Sequence, residues 1–200
     1  MDSMPPVDQN AAMRRTILSI AALLALSFPT FAQAELPVGA KAPIFATQGA
    51  LAGKTYRFNL KDALRKGPVV LYFYPKAFTQ GCTLEAHAFA EAHDKFAAAG
   101  ATVIGMSADD LPTLQRFSTE ACRDKFAVAV ASPAVIAAYD VALKMDRLPA
   151  QARGKMPSGL TDRTSYVIAR NGKIAFVHSD LDYREHVNLS LAAVKALGKK

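Results

Sequence analysis

Two cysteines stand in this chain, Cys82 and Cys122, and the first is placed to be reactive. Ahead of it runs Val69-Val70-Leu71-Tyr72-Phe73-Tyr74, an unbroken apolar and aromatic stretch that reads as a buried strand. After it runs Thr83 to Ala99, rich in Ala and closed by Gly100, which reads as a helix. Between them lies Pro75-Lys76-Ala77-Phe78-Thr79-Gln80-Gly81-Cys82. A thiol thus sits where a central strand ends and a helix begins, the edge at which open α/β sheets bind ligands. Thr79 is a good N-cap, which puts Cys82 in the first helical turn. There the free N–H groups and the positive end of the helix dipole favour a thiolate over a thiol. The competing reading is a small inert core cysteine; the strand–helix junction and the spacing weigh against it.

The elements that must position this thiol follow from periodicity and punctuation. Glu35 to Ala46, with Pro37, Gly39 and Pro43, reads as an extended entry segment. Thr47 to Leu60 holds Gly49 and Gly53 among short alternating stretches and reads as a small hairpin. Asp62 to Lys66 is at most one helical turn, ended by Gly67-Pro68. In the helix after Cys82, Phe89, Ala92 and Phe96 form an inward face. Ala101 to Met106 is a second buried strand. Ser107-Ala108-Asp109-Asp110 then caps a helix with Pro112 in its first turn, running to about Lys125 with Cys122 near its end. Ala127 to Ala131 fits a third strand and Pro133 to Tyr139 a short helix. Val141 to Thr161, with Pro149, Gly154, Pro157 and Gly159, is a long connection of the kind that is more often functional than inert. Thr164–Ala169 and Ile174–His178 flank Asn171-Gly172, a strong hairpin signal. Tyr183 to Leu197 closes the chain as a helix. Strands alternating with helices, with one late hairpin, imply an α/β fold: a mixed sheet covered on both faces.

Length and charge narrow the classes. Two hundred residues favour one domain. Arg14-Arg15, the apolar run Ile17 to Phe28 and Ala32-Gln33-Ala34 make a positive region, a hydrophobic region and a small-residue cleavage site. Residues 1–34 therefore read as a signal peptide and 35–200 as the folded domain of a periplasmic or secreted protein. Met13, just before the arginines, allows residues 1–12 to be an extension ahead of the true start. The apolar run is short for a membrane span; a retained N-terminal anchor is the alternative. The formal charge of +7 comes without a long Lys/Arg run or a nucleic-acid motif, so it reads as a solvated basic surface. Two cysteines are too few for a disulfide scaffold or a thiolate zinc site, while export permits a disulfide between them. His87, His93, His178 and His186 show no metal-ligand spacing and read as structural or solvated. Tyr72, Phe73, Phe78 and Phe89 read as lining or backing the pocket.

Pro75-x-x-x-Thr79-x-x-Cys82 resembles the active-site signature of the peroxiredoxins. The wider string Leu71 to Pro75 and Gly81 to Glu85 is similar to the bacterioferritin-comigratory, or Q-type, branch. The likeness spans about Val38 to Lys200. It implies a thioredoxin-like three-layer fold and reduction of hydrogen peroxide and organic hydroperoxides without metal, haem or flavin. By the resemblance Cys82 is the attacking thiolate and passes to a sulfenic acid. Thr79 orients the peroxide, and Pro75 shields the sulfur. Arg163, in Thr161-Asp162-Arg163-Thr164-Ser165-Tyr166, completes the site; its competing reading is a surface arginine paired with Asp162. Glu85 matches the branch pattern, with the plain role of a first-turn acid complementing the helix dipole. A resolving cysteine familiar in this branch lies five residues after the reactive one, where this chain has His87. Cys122 instead matches the resolving position of a second Q-type group. Resolution would then give an intramolecular Cys82–Cys122 disulfide, re-reduced by a thioredoxin-like or other dithiol protein, in a monomer or weak dimer.

Three rivals share the sequence. A thiol–disulfide oxidoreductase wants Cys-x-x-Cys, and the position three after Cys82 is Glu85. A binding domain would keep an inert Cys82–Cys122 bridge. A copper carrier would want two close cysteines and a histidine, and the close pair is missing. Idealised topology also sets a difficulty: the end of the Cys122 helix falls at the opposite sheet edge from Cys82, and a disulfide needs Cα atoms within about 7 Å.

Overall fold

The structure is a computed structural model that describes residues 35–198 apart from 149, 152, 155 and 156. The expected leader, residues 1–34, lies outside the described residues. The pivot is β3 (Val69–Phe73), buried at every position. Strand side chains alternate between faces. Val70, Tyr72 and the following Tyr74 enter one core cluster, and Val69, Leu71 and Phe73 enter the other. A strand apolar on both faces belongs inside a covered sheet. The remaining strands are β1 (Ala46–Leu51), β2 (Lys54–Asn59), β4 (Thr102–Ser107), β5 (Ala127–Val130), β6 (Thr164–Ile168) and β7 (Ile174–Ser179). Their order is β2-β1-β5-β4-β3-β6-β7, with β3, β4 and β5 parallel and the outer pairs antiparallel.

Helices α2 (Gln80–Ala98), α3 (Leu111–Glu120) and α5 (His186–Leu197) cover the Tyr72 face. Helices α1 (Leu60–Lys66) and α4 (Pro133–Tyr139) cover the other. This is the expected thioredoxin-like three-layer α/β fold. Phe73 therefore backs the α1/α4 side and does not line the Cys82 side, because residues one apart on a strand point oppositely. Tyr72 does face it, stacked on Phe89 with ring centroids 4.2 Å apart. Gly105 on β4 leaves the room: a Cβ there would lie 2.8 Å from the Tyr72 phenol.

Local chemistry explains where the element ends differ from expectation. α1 makes two turns because Asn59 caps it, accepting from Asp62 N at 3.4 Å, while Leu60, Ala63 and Leu64 are buried beneath it. α3 is capped as expected by Asp110, which accepts from Thr113 N at 2.9 Å. It stops at Glu120 rather than near Lys125, because Arg123 and Asp124 have φ of 51° and 58°. That left-handed geometry cannot continue a right-handed helix, so Cys122 sits in the turn beyond α3. α5 opens at His186 rather than Tyr183. Asp180 and Asp182 accept from Asp182 N at 2.9 Å and Arg184 N at 3.2 Å, side-chain turns that compete with helix. The β1–β2 turn, Ala52-Gly53, has φ of 49° and 74°, as a tight two-residue hairpin requires.

Candidate active site

Thr79 is the N-cap of α2, with extended φ and ψ of −74° and 149°. Its carbonyl accepts from Thr83 N at 2.9 Å, opening the helical ladder. The N–H groups of Gln80, Gly81 and Cys82 thus precede the ladder and have no partner within the helix. Cys82 lies among them at the positive end of the dipole, 2% exposed. The Thr79 side chain does not cap. Its hydroxyl donates to Lys76 O at 2.9 Å, which leaves its oxygen lone pairs to accept a proton from a bound ligand. Pro75 is buried at the end of β3, where it fixes the backbone leaving the strand.

The Pro75–Cys82 loop is pinned from β4. Asp109 Oδ2 accepts from Ala77 N at 2.7 Å and from the Ser107 hydroxyl at 2.8 Å. Sequence reasoning placed Ser107 and Asp109 only in a helix cap; a Ser-x-Asp at a strand end was the available signal. At the rim, Phe78 has φ of 64° and an exposed ring. That ring is held edge-on to Phe117 at 5.2 Å and lies beneath the Arg116 guanidinium at 5.3 Å.

Register brings Arg163 to the thiol. β6 runs antiparallel to β3 with Thr164 opposite Phe73, so Arg163 stands at the strand end where the Cys82 loop begins. Its Nη2 donates to Cys82 Sγ at 3.4 Å and its Nε to Leu181 O at 2.9 Å, while Nη1 pairs with Glu85 Oε2. The surface pairing with Asp162 is not what forms. Arg163 is buried, and the Asp162 carboxylate takes the Arg163 main-chain N–H at 2.8 Å and the Arg147 guanidinium. Burial opposes the Arg163 charge, but Glu85 and Cys82 outweigh it and raise its pKa.

Glu85, three residues after Cys82 and so on the same helix face, is fully buried. It is more than an acid complementing the dipole. Burial pushes its carboxyl up to about 8 against the pull of Arg163. His186 is also buried, with Nδ1 bonded to the Ser165 hydroxyl at 2.8 Å and 3.8 Å from Glu85 Oε1. Sequence reasoning missed this cluster because its members come from three elements with no shared spacing.

Cys122 is buried and, like Cys82, a free thiol. Burial pushes its pKa up, and Asp124 adds to that. Both cysteines belong to the core cluster that contains Tyr72. That phenol is raised by burial first and then by Cys122, Tyr74, Glu85 and Cys82, so it lies within electrostatic reach of both sulfurs.

Residues 38–177 match the AhpC/TSA family. The chain is 29% identical to the chloroplastic peroxiredoxin Q of Oryza sativa subsp. japonica, over 94% of this chain and 84% of that one. It is 32% identical to a peroxiredoxin bcp of Coxiella burnetii, over 76% of this chain and 95% of that one. Among solved structures, peroxidoxin BcpB of Mycobacterium tuberculosis superposes with a TM-score of 0.68 at 27% identity, covering 81% of this chain and 98% of its own. Peroxiredoxin Q of Xanthomonas campestris gives 0.61 at 26%, covering 74% and 89%. With a strand–helix thiol held by a buried arginine on a thioredoxin-like sheet, and with these relatives, the chain belongs to the AhpC/TSA family and, within it, to the Q-type peroxiredoxins, which are thiol peroxidases.

Proposed function

We propose that Cys82 is the peroxidatic cysteine and that this chain reduces hydrogen peroxide and organic hydroperoxides through a Cys82 sulfenic acid. The observation that carries this reading is the Arg163 guanidinium, shared between Cys82 Sγ and the Glu85 carboxyl at the positive end of α2. A guanidinium holds its charge and offers several donors. It stabilises the thiolate and binds the peroxide oxygen that gains charge as the O–O bond breaks. Thr79 Oγ1, its proton committed to Lys76 O, accepts from the peroxide hydroxyl and orients it. The N–H groups of Gly81 and Cys82 add donors, and Pro75 keeps water from the sulfur.

Cys122 then resolves the sulfenic acid within the same chain. Its sulfur attacks Cys82, water leaves, and a Cys82–Cys122 disulfide forms. A dithiol protein of thioredoxin type returns both thiols. The resting fold keeps the two apart in reactivity, since each is buried and Cys122 is held protonated by its surroundings. Peroxide-treated protein, digested without reductant, yields a Cys82–Cys122 peptide from a band that runs as monomer. A linked peptide recovered only from covalent dimer would assign resolution to a second subunit.

We propose that the protein works outside the cytoplasm; Arg14-Arg15, the Ile17–Phe28 run and Ala32-Gln33-Ala34 support this reading. The mature protein begins at Glu35. N-terminal sequencing of material from the cell envelope checks this, and an intact Arg14-Arg15 segment there contradicts it.

A further inference from the structure

Glu85 is only half used by the site described above. Its Oε2 pairs with Arg163 Nη1. Its Oε1 is buried without a hydrogen-bond partner among the described residues, and it faces His186 Nδ1 at 3.8 Å. The orientation of His186 is fixed. Nε2 meets the Asp180 carbonyl at 2.9 Å, and a carbonyl only accepts, so Nε2 carries the hydrogen. In the neutral ring Nδ1 is then bare and accepts from the Ser165 hydroxyl at 2.8 Å. A proton added to Nδ1 would place a buried cation near Arg163, with the His178 ring 4.6 Å away. The ring is accordingly pushed down to about 4, by burial first and then by His178 and Arg163. A carboxylate with one bare oxygen in such a place is costly, and a neutral acid much less so. The groups facing Glu85 are Cys82 on its own helix, Arg163 before β6, His186 on α5 and Tyr72 on β3. His178 on β7 stands behind His186. Arg163 is the fixed cation among them, and it touches both Glu85 and Cys82.

We propose that Glu85 is a proton reservoir for peroxide cleavage: it is a neutral acid while Arg163 serves the Cys82 thiolate, and it ionises to become the counter-ion of Arg163 when that thiolate is consumed. The proposal rests on Cys82 being the peroxidatic thiol. Cys82 S⁻ bonds to the hydroxyl oxygen of ROOH, and the O–O bond breaks with its electron pair on RO⁻. RO⁻ takes the proton that Glu85 releases. The products are the sulfenic acid, ROH and a Glu85 carboxylate. Cys82 is oxidised, the peroxide is reduced, and Arg163 faces one negative charge before and after. The proton travels by way of Arg163, which is bonded to both groups: as one Nη2 proton moves to RO⁻, the Glu85 proton moves to the guanidine, so the guanidinium is restored and Glu85 itself does not touch the substrate.

The test uses the full chain carrying Cys122→Ser, so that oxidation stops at the sulfenic acid, with one equivalent of hydrogen peroxide near neutral pH. Ultraviolet absorbance first reports the Cys82 thiolate. Infrared difference spectra then lose the carbonyl stretch of a protonated carboxyl and gain carboxylate bands. Glu85→Gln, which mimics the neutral acid in shape, abolishes that change. An indicator dye reads almost no net proton uptake per Cys82 oxidised with Glu85 present, and about one proton with Glu85→Gln. Oxidation without loss of the carboxyl band overturns the proposal even if the variant fails to fold, and it leaves Cys82 as the peroxidatic thiol. Absence of a thiolate in the reduced protein also overturns it. Failure of Cys82 to oxidise overturns the underlying reading, and the reservoir with it.

Discussion

In the proposed reaction Arg163 is the residue that governs the Cys82 sulfur: its Nη2 lies 3.4 Å from that sulfur inside the core. Arg163→Met keeps the stem and removes the charge and donors. It should slow the reaction with peroxide by roughly two to three orders of magnitude, as losing one preorganised donor does. A variant that reacts with peroxide near the wild-type rate would count against the assignment. The buried partners of this arginine carry a pH signature as well. Glu85 is raised from 4.5 to about 8 in the fold, so the unfolded chain releases this proton first as pH rises. The Glu85 contribution is full below 4.5 and is lost as pH climbs through about 8. His186 is lowered from 6.5 to about 4, so its contribution is present above 6.5 and lost as pH falls through about 4. Thermal unfolding of Glu85→Gln against wild type should therefore show the variant gaining relative stability between pH 4.5 and 8. A constant difference across that window would refute the buried-acid description.

At the scale of elements, the proposed resolution by Cys122 involves two short segments. Cys82 occupies the first turn of α2, which begins where the parallel strand β3 ends. α3 starts beside the same loop, tied to it through Asp109 and Ala77, and its ten residues extend about 15 Å, with Phe117 packed against Phe78 and Tyr74. Cys122 lies just past the end of α3. Both cysteines are free thiols of one core cluster, and the turn that carries Cys122 is strained. Arg123 and Asp124 are consecutive non-glycine residues in left-handed geometry, which costs on the order of 1–2 kcal/mol per residue. That strain lowers the cost of melting the Glu120–Lys125 turn, while the Thr79–Glu85 turn opens at the helix end where ladder bonds are fewest. Cys122→Ser should then stall steady-state turnover with a dithiol-protein reductant after one oxidation of Cys82. Unchanged turnover would show that an outside thiol resolves Cys82.

The whole molecule was legible in sequence wherever one local signal controlled the outcome. The aromatic run of β3, the Asn171-Gly172 hairpin, the Asp110 cap and the Pro75–Cys82 spacing all reappear in place. Helix ends failed where side-chain turns or left-handed residues intervened, as at Asp182 and Arg123. Phe73 was misplaced because a continuously apolar strand hides which residues share a face. The Glu85–His186–Ser165 cluster was invisible because α2, α5 and β6 meet only through the tertiary fold. Every part of the molecule nonetheless bears on one claim, that Cys82 is the sulfur that meets peroxide. The direct measurement is a titration of the fully reduced chain with hydrogen peroxide, counting free thiols, beside the same titration of Cys82→Ser. The account predicts that one equivalent of peroxide consumes both wild-type thiols, while folded Cys82→Ser consumes no peroxide and keeps Cys122 free. Peroxide consumption by Cys82→Ser near the wild-type rate would contradict it.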